Sequence, residues 1–305
     1  MSYLKKYEYV IAVSDYGGIS QAAEKLNISQ PTFSKYLKKI EGELGMELFD
    51  RSTLPIRLTK AGECFVNVGK RFIDLDRQLS KQLEEIKSNS SSVIRIGISP
   101  SRSPYIMPDI IALYKERNPS GRVVIEERTT AELNKRLMLG ELDLIINLLD
   151  KETECFERVD LFDESILLAV HRANCPQNAS AEEILMSSTI VNVGKGQAMW
   201  QILNDIVEDM GICQPEIECQ SIESALSLVK RGIGAMIVPS YIAKGNDNRQ
   251  NEDVCFLPLI GDKNSINSST YERKVCLFYR KEQFLTQSEK DFIECVKIIM
   301  KEKEN

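Results

Sequence analysis

Between Pro31 and Ile40 the chain places Lys35, Lys38 and Lys39 and no acid, beside Gln30, Thr32 and Ser34. At the helical period Pro31, Ser34, Lys35, Lys38 and Lys39 share one face, with Gln30 at the tip. Phe33, Tyr36, Leu37, Ile40 and Leu44 share the other. A glutamine amide can pair bidentately with adenine, a serine hydroxyl with bases of either strand, and a lysine with guanine or phosphate. A helix carrying these groups on one side has the width of the DNA major groove. The bland alternative is a solvated lysine face.

The neighbouring elements are those needed to hold such a helix. Leu4, Tyr7, Val10 and Ile11 repeat at helical spacing, and Gly17-Gly18 breaks that helix. Ser20 is placed to cap a short second helix with Ala22-Ala23 at a close packing point, Asn27-Ile28 makes the turn, and Ser29 caps the third helix. A short helix, a tight turn and a helix with a bare polar face form a helix-turn-helix. Residues 48–59 then read as a two-stranded wing, with Arg51 and Arg57 available to phosphates. Thr59 opens a long helix in which Phe65, Val68, Phe72, Leu75, Leu79, Leu83 and Ile86 form a coiled-coil seam that a second copy of the chain would cover.

Charge is distributed to match. The 305 residues carry a net charge of -6, yet residues 1–90 hold 14 basic and 12 acidic side chains. This split suggests a front part that can approach an anion and a back part that does something else. The only histidine is His171, and the eight cysteines contain no CxxC, so no metal site and no nucleophile-plus-base pattern is visible. The opening run MSYLKKYEYVIAVSD has neither a long apolar core nor a small-residue cleavage site, and no stretch is long and apolar enough to span a membrane. A cytoplasmic location with reduced thiols and no membrane partner is expected, as is the absence of enzyme activity and of a cofactor.

Behind a polar linker at 88–92, apolar runs at 93–98, 122–127, 142–147, 165–170, 188–193, 234–239 and 275–279 alternate with amphipathic segments, the pattern of α/β lobes with largely parallel sheets. Ligands of such sheets bind beyond the carboxyl ends of strands, at helix N-termini. The candidates there are Ser99, Ser101, Arg102 and Ser103 after the first run, Thr129 after the second, Asn147 ending the third, and Lys195, Gly196 and Gln197 before a helix containing Trp200. Hydroxyls beside Arg102 and Lys195 favour a small anion such as a carboxylate. The competing view pairs Arg102 with a local acid such as Asp109.

The stretch from Ile19 to Glu63 resembles the N-terminal signature of LysR-type transcriptional regulators. It carries the Ala-Ala pair, Ser-Gln-Pro at 29–31, Glu-Leu-Gly at 43–45, Leu-Phe-Asp-Arg at 48–51 and Leu-Thr-Lys-Ala-Gly at 58–62. Lys35 stands where that family commonly has Arg, and Gly17-Gly18 replaces Gly-Ser. IRIGIS, GELDLII and LVKRGIGAMIVP are similar to the family's effector-binding region, whose fold resembles periplasmic binding proteins. The resemblance implies a winged helix-turn-helix at 1–58 and a dimerisation helix and hinge at 59–92. A two-lobed α/β effector domain follows at 93–305, with lobe I at about 93–163 and 270–305 and lobe II at about 164–269. The chain would cross between lobes near 160–164 and 267–271. It also implies a homotetramer made of two dimers on double-stranded DNA, a small-molecule effector, and RNA polymerase as a further candidate partner. The DNA-facing set is then Ser20, Gln30, Pro31, Thr32, Ser34, Lys35, Lys38, Arg51 and Arg57. Two alternatives stand beside this reading: a thiol-redox regulator, in which Cys213 and Cys219 would be the pair, and a metabolite-binding protein or enzyme that carries a DNA-binding-like domain.

Overall fold

The computed structural model describes residues 3–52, 56–86, 93–194, 198–209, 211, 217–243, 252–259, 272–281 and 283–304. The chain divides into two compact units, Met1–Ser90 with Arg136–Glu141, and Ser91–Lys135 with Leu142–Asn305.

The first unit is three helices, a hairpin and a long helix: α1 (Tyr3–Tyr16), α2 (Ile19–Lys25), α3 (Gln30–Leu44), β1 (Phe49–Asp50), β2 (Arg57–Leu58) and α4 (Lys60–Ile86). Its core gathers Val10, Ala22, Ala23, Phe33, Leu37, Ile40, Leu48 and Val66. Two expected caps differ from expectation. Gly18 takes the extended N-cap backbone of α2, so Ser20 lies inside the first turn and is exposed. Ser29 holds the N-cap position of α3, but its hydroxyl donates to Thr32 Oγ1 at 2.7 Å and caps no backbone N–H. Gly45 ends α3 in the left-handed conformation, φ 65°, which costs glycine no Cβ clash. Thr59 caps α4 as expected, with Gly62 N donating to Thr59 Oγ1 at 3.0 Å. Gly62 is the glycine of the Leu-Thr-x-Ala-Gly run, and a Cβ there would collide with the backbone carbonyl of Leu48.

The apolar stripe of α3 is narrower than expected. Tyr36 is 38% and Leu44 41% exposed, because Tyr36 lies on the flank of the stripe and Leu44 one turn past the core. Along α4, Tyr7 of α1 covers Phe65 and Phe72, with ring centroids 4.8 and 5.7 Å apart. Val68, Phe72, Leu75, Leu79 and Leu83 are still about half exposed in the single chain. The side chain of Ile86 lies outside the described residues.

The second unit contains β3 (Val93–Ile98), α5 (Ser103–Arg117), β4 (Arg122–Glu127), α6 (Thr130–Met138), β5 (Leu144–Leu148), β6 (Phe156–Glu164), β7 (Ile166–His171), α7 (Ala181–Ser187), β8 (Val191–Val193) and α8 (Ala198–Asp209). It continues with β9 (Ile217–Cys219), α9 (Ile222–Val229), β10 (Ala235–Pro239), α10 (Ser240–Ala243), β11 (Val254–Pro258), β12 (Arg273–Arg280) and α11 (Gln287–Glu304). One sheet has the order β4-β3-β5-β12-β6, a second the order β10-β7-β11, and β8 pairs with β9. Each larger sheet has its own core, one around Ile94, Ile96, Tyr114 and Phe292, the other around Leu168, Leu203, Ala225 and Ile237.

The expectation of largely parallel sheets holds only for β3 with β4 and β5, and for β8 with β9. β12 runs antiparallel to both neighbours, and β7 is antiparallel to β10 and β11. These antiparallel pairs join distant parts of the chain, so no βαβ crossover connects them. β6, β9 and β11 were not among the expected runs. β6 interrupts its apolar residues with five charged ones as an edge strand, and β9 is three residues long. The first crossing between sheets is at Ser165, whose carbonyl accepts from Ser240 N at 2.8 Å. The second expected crossing, 267–271, lies outside the described residues.

Candidate functional site

Two sites follow from this framework, one in each unit. The first is the outer face of α3. Burial of Phe33, Leu37 and Ile40 turns Gln30, Pro31, Thr32, Lys35, Lys38 and Lys39 outward, with Ser34 half-buried between them. Lys35 and Lys38 form no ion pair with another described residue, which leaves both cations for an external anion. The wing is less free. Glu41, on the buried side of α3, accepts from Leu48 N at 2.9 Å and from Arg51 Nη2 at 2.6 Å. Arg51, expected to meet phosphate, is thus tethered to α3 and holds the wing to it. Arg57 is exposed opposite Asp50 in the hairpin register. Hydrogen bonds from Ser52, with a smaller contribution from Arg57, hold the Asp50 carboxyl below its usual range. At the other end of α3, Lys6 of α1 binds Glu43 at 2.5 Å, and that bond raises the lysine and lowers the glutamate.

The second site is a cavity of about 190 Å³ in the second unit. One wall is the turn from β3 into α5, Ser99–Arg102, joined by Arg128, Thr129 and Thr130. The other wall is Gln220–Glu223 at the start of α9, with Met199 and Tyr241, and Arg273 completes it. Ser221 caps α9 by accepting from Ser224 N at 3.2 Å. Two helix starts rich in hydroxyls therefore face one space. That volume is below the ~300–1,000 Å³ of drug-sized sites and suits a small molecule.

The structure alters the role expected of Arg102. It is only 4% exposed, and its guanidinium clasps Glu164 with three bonds of 3.1 Å while Nη1 reaches Ser99 Oγ at 3.3 Å. Its partner is not Asp109, which binds Lys303 at 2.7 Å. Glu164 is completely buried and also binds Arg273 Nη2. Glu164 ends β6 and Arg273 begins β12, and the two are register partners where the chain passes between the sheets. Two cations around one anion leave one positive charge in excess. The Arg273 Nε and Nη1 groups are buried and have no hydrogen-bond partner. Burial lowers the Arg273 guanidinium pKa while Glu164 opposes that shift. Burial also pushes the Tyr241 phenol up to about 12, so it stays protonated at neutral pH.

Of the other expected residues, Ser99, Ser101 and Thr129 line the cavity. Ser103 is buried in the first turn of α5, and Asn147 is buried behind the wall, donating to Thr130 O at 3.2 Å and Asn134 Oδ1 at 2.8 Å. Both support the site and neither lines it, because each side chain points into the packed side of its element. Lys195, Gly196 and Gln197 lie outside the described residues, as does Cys213, while Cys219 is half-buried at the end of β9. Sequence reasoning missed Glu164, Tyr241, Arg273 and the start of α9. Only the last had a local signal, the Ser-x-x-Ser cap ahead of an apolar run.

Comparison with known proteins identifies the family of both regions of the chain. Residues 4–63 match the family model of bacterial regulatory helix-turn-helix proteins of the lysR family, and residues 87–299 match the LysR substrate binding domain. The chain is 27% identical over 266 residues to the DNA-binding transcriptional dual regulator OxyR of Escherichia coli K12, covering 84% of this chain and 85% of that one. It is 28% identical over 231 residues to a probable RuBisCO transcriptional regulator of Cyanidium caldarium, covering 73% of each. Among solved structures, a full-length OxyR variant from Pseudomonas aeruginosa superimposes with a TM-score of 0.68 at 24% identity, covering 99% of this chain and 95% of the other. CbnR complexed with its target DNA gives 0.65 at 20%, covering 98% and 99%. Among the described residues no helix is long and apolar enough to cross a membrane. With a helix-turn-helix that exposes a basic recognition face and a two-sheet domain built around a cavity, the chain belongs to the LysR family of DNA-binding transcriptional regulators with an effector-binding domain.

Proposed function

We propose that the chain is a non-catalytic, cytoplasmic regulator whose effector is a small anion, a carboxylate in the simplest case, bound in the cavity between the two sheets. The observation that carries this reading is Arg273. Arg102 is consumed by Glu164, whereas Arg273 keeps two buried N–H groups without an acceptor in the cavity wall. Buried donors of this kind are costly unless a partner arrives. An anion there would neutralise the excess charge at the crossing strands and draw on hydroxyls from both walls, favouring closure of one sheet on the other. We also assign Gln30, Pro31, Thr32, Ser34, Lys35, Lys38 and Arg57 to the DNA-facing set, with Ser20 at its edge, and the exposed α4 seam to pairing of two chains.

The test is a thermal-shift screen of small carboxylates on the full chain. A ligand at 100 times its dissociation constant adds about 2.7 kcal/mol of stability. Arg273→Gln should abolish that shift while ligand-free operator binding is retained. An undiminished shift would put the effector elsewhere.

A further inference from the structure

β7 ends at His171, and one 3-10 turn, Arg172–Asn174, leads to Cys175. That turn is pinned on β11. Arg172 N donates to Asp253 O at 2.7 Å, Arg172 Nε donates to Glu252 O at 2.9 Å, and His171 is the register partner of Val254. Cys175 is thereby delivered to the start of β11, where Cys255 is the register partner of Val170. Both cysteines are half-buried and pack against the same core. Other thiols are engaged differently: Cys155 donates to Glu152 O, and Cys276 donates to Asp160.

We propose that Cys175 and Cys255 form a reversible dithiol–disulfide site oxidised by small-molecule disulfides. One thiolate attacks a disulfide R–S–S–R, giving a mixed disulfide and releasing one thiolate RS⁻. The second cysteine, as its thiolate, attacks the protein sulfur of that bond and releases the other RS⁻. Two electrons pass from the pair to R–S–S–R, and the two protein protons end on two R–SH. Burial, reinforced by the neighbouring Cys255, holds the Cys175 thiol above its usual range, so little thiolate is present at neutral pH and its attack is slow. Ring closure is intramolecular, which makes the pair more oxidisable than either thiol alone. The closed bond would enclose about 80 residues, including α7 to α10, and restrain the unfolded state of this lobe.

The experiment treats the full chain with oxidised glutathione and maps its peptides without reduction. The expected product is a peptide pair joined through Cys175 and Cys255, lighter by two hydrogens and reopened by dithiothreitol. The oxidised chain should melt about 5 °C or more above the reduced one. Cys175→Ser should instead leave glutathione on Cys255, and Cys255→Ser should leave it on Cys175. Glutathione confined to the exposed Cys64 and Cys155, or a cross-link through Cys213 or Cys219, would overturn the assignment.

Discussion

The cations of α3 and those lining the cavity of the second unit are mounted in opposite ways, and under the proposed function they serve anions of different kinds. Lys35 and Lys38 are exposed and have no described counter-ion. Arg102 and Arg273 are largely withdrawn from water and share the buried carboxylate of Glu164. A polyanion supplies many phosphates and releases counter-ions, so each exposed lysine contributes modestly and none needs pre-positioning. A small ligand offers one or two charges, so its site must hold its donors before the ligand arrives. Removing an α3 lysine should therefore weaken one contact, whereas removing Glu164 should damage the fold.

The largest expected effect is that of Glu164→Ala, which strands two buried guanidinium groups. Breaking a buried ion pair typically costs about 3–5 kcal/mol, so the urea midpoint should fall steeply. A loss under about 1 kcal/mol, far below that range, would show that the two arginines find other partners and that the contrast with α3 is overstated. Next comes Leu79→Asp, in the 53%-exposed middle of the α4 seam. If that seam pairs two chains, the variant should be monomeric by light scattering, and operator affinity should fall about 100-fold or more through lost avidity. An intact dimer would place the interface elsewhere.

Smaller effects sharpen the α3 side of the comparison. Gln30→Ala should lose about 1–3 kcal/mol of discrimination at one base position per half-site, measured by competition with single-base operator variants. Unchanged discrimination would remove Gln30 from the reading set. Lys38→Ala should weaken binding to operator and scrambled DNA alike, with the slope of log K against log salt reduced by about 0.9 per protomer. A selective loss on operator alone would make Lys38 a base contact.

The front of the molecule was legible because its determinants are local. Helix period, the Asn27 turn, the Gly45 stop and the Thr59 cap all act within a few residues, and the side chains facing out of α3 follow from those facing in. Even there, tertiary packing decided that Arg51 is spent on Glu41, a residue ten positions earlier on another element. In the second unit the β3–α5 turn was readable from a strand followed by Ser99–Ser103, but the centre of the cavity was not. Glu164 pairs with Arg102 across 62 residues and with Arg273 across 109. Nothing in the residues around any of the three marks the other two. The sequence by itself determined two units, a basic recognition helix and hydroxyl-rich helix starts, because these depend on near neighbours and periodicity. Only the tertiary structure decided which arginine keeps donors without an acceptor, because a buried charge takes its role from whichever counter-charge the fold brings within about 3 Å.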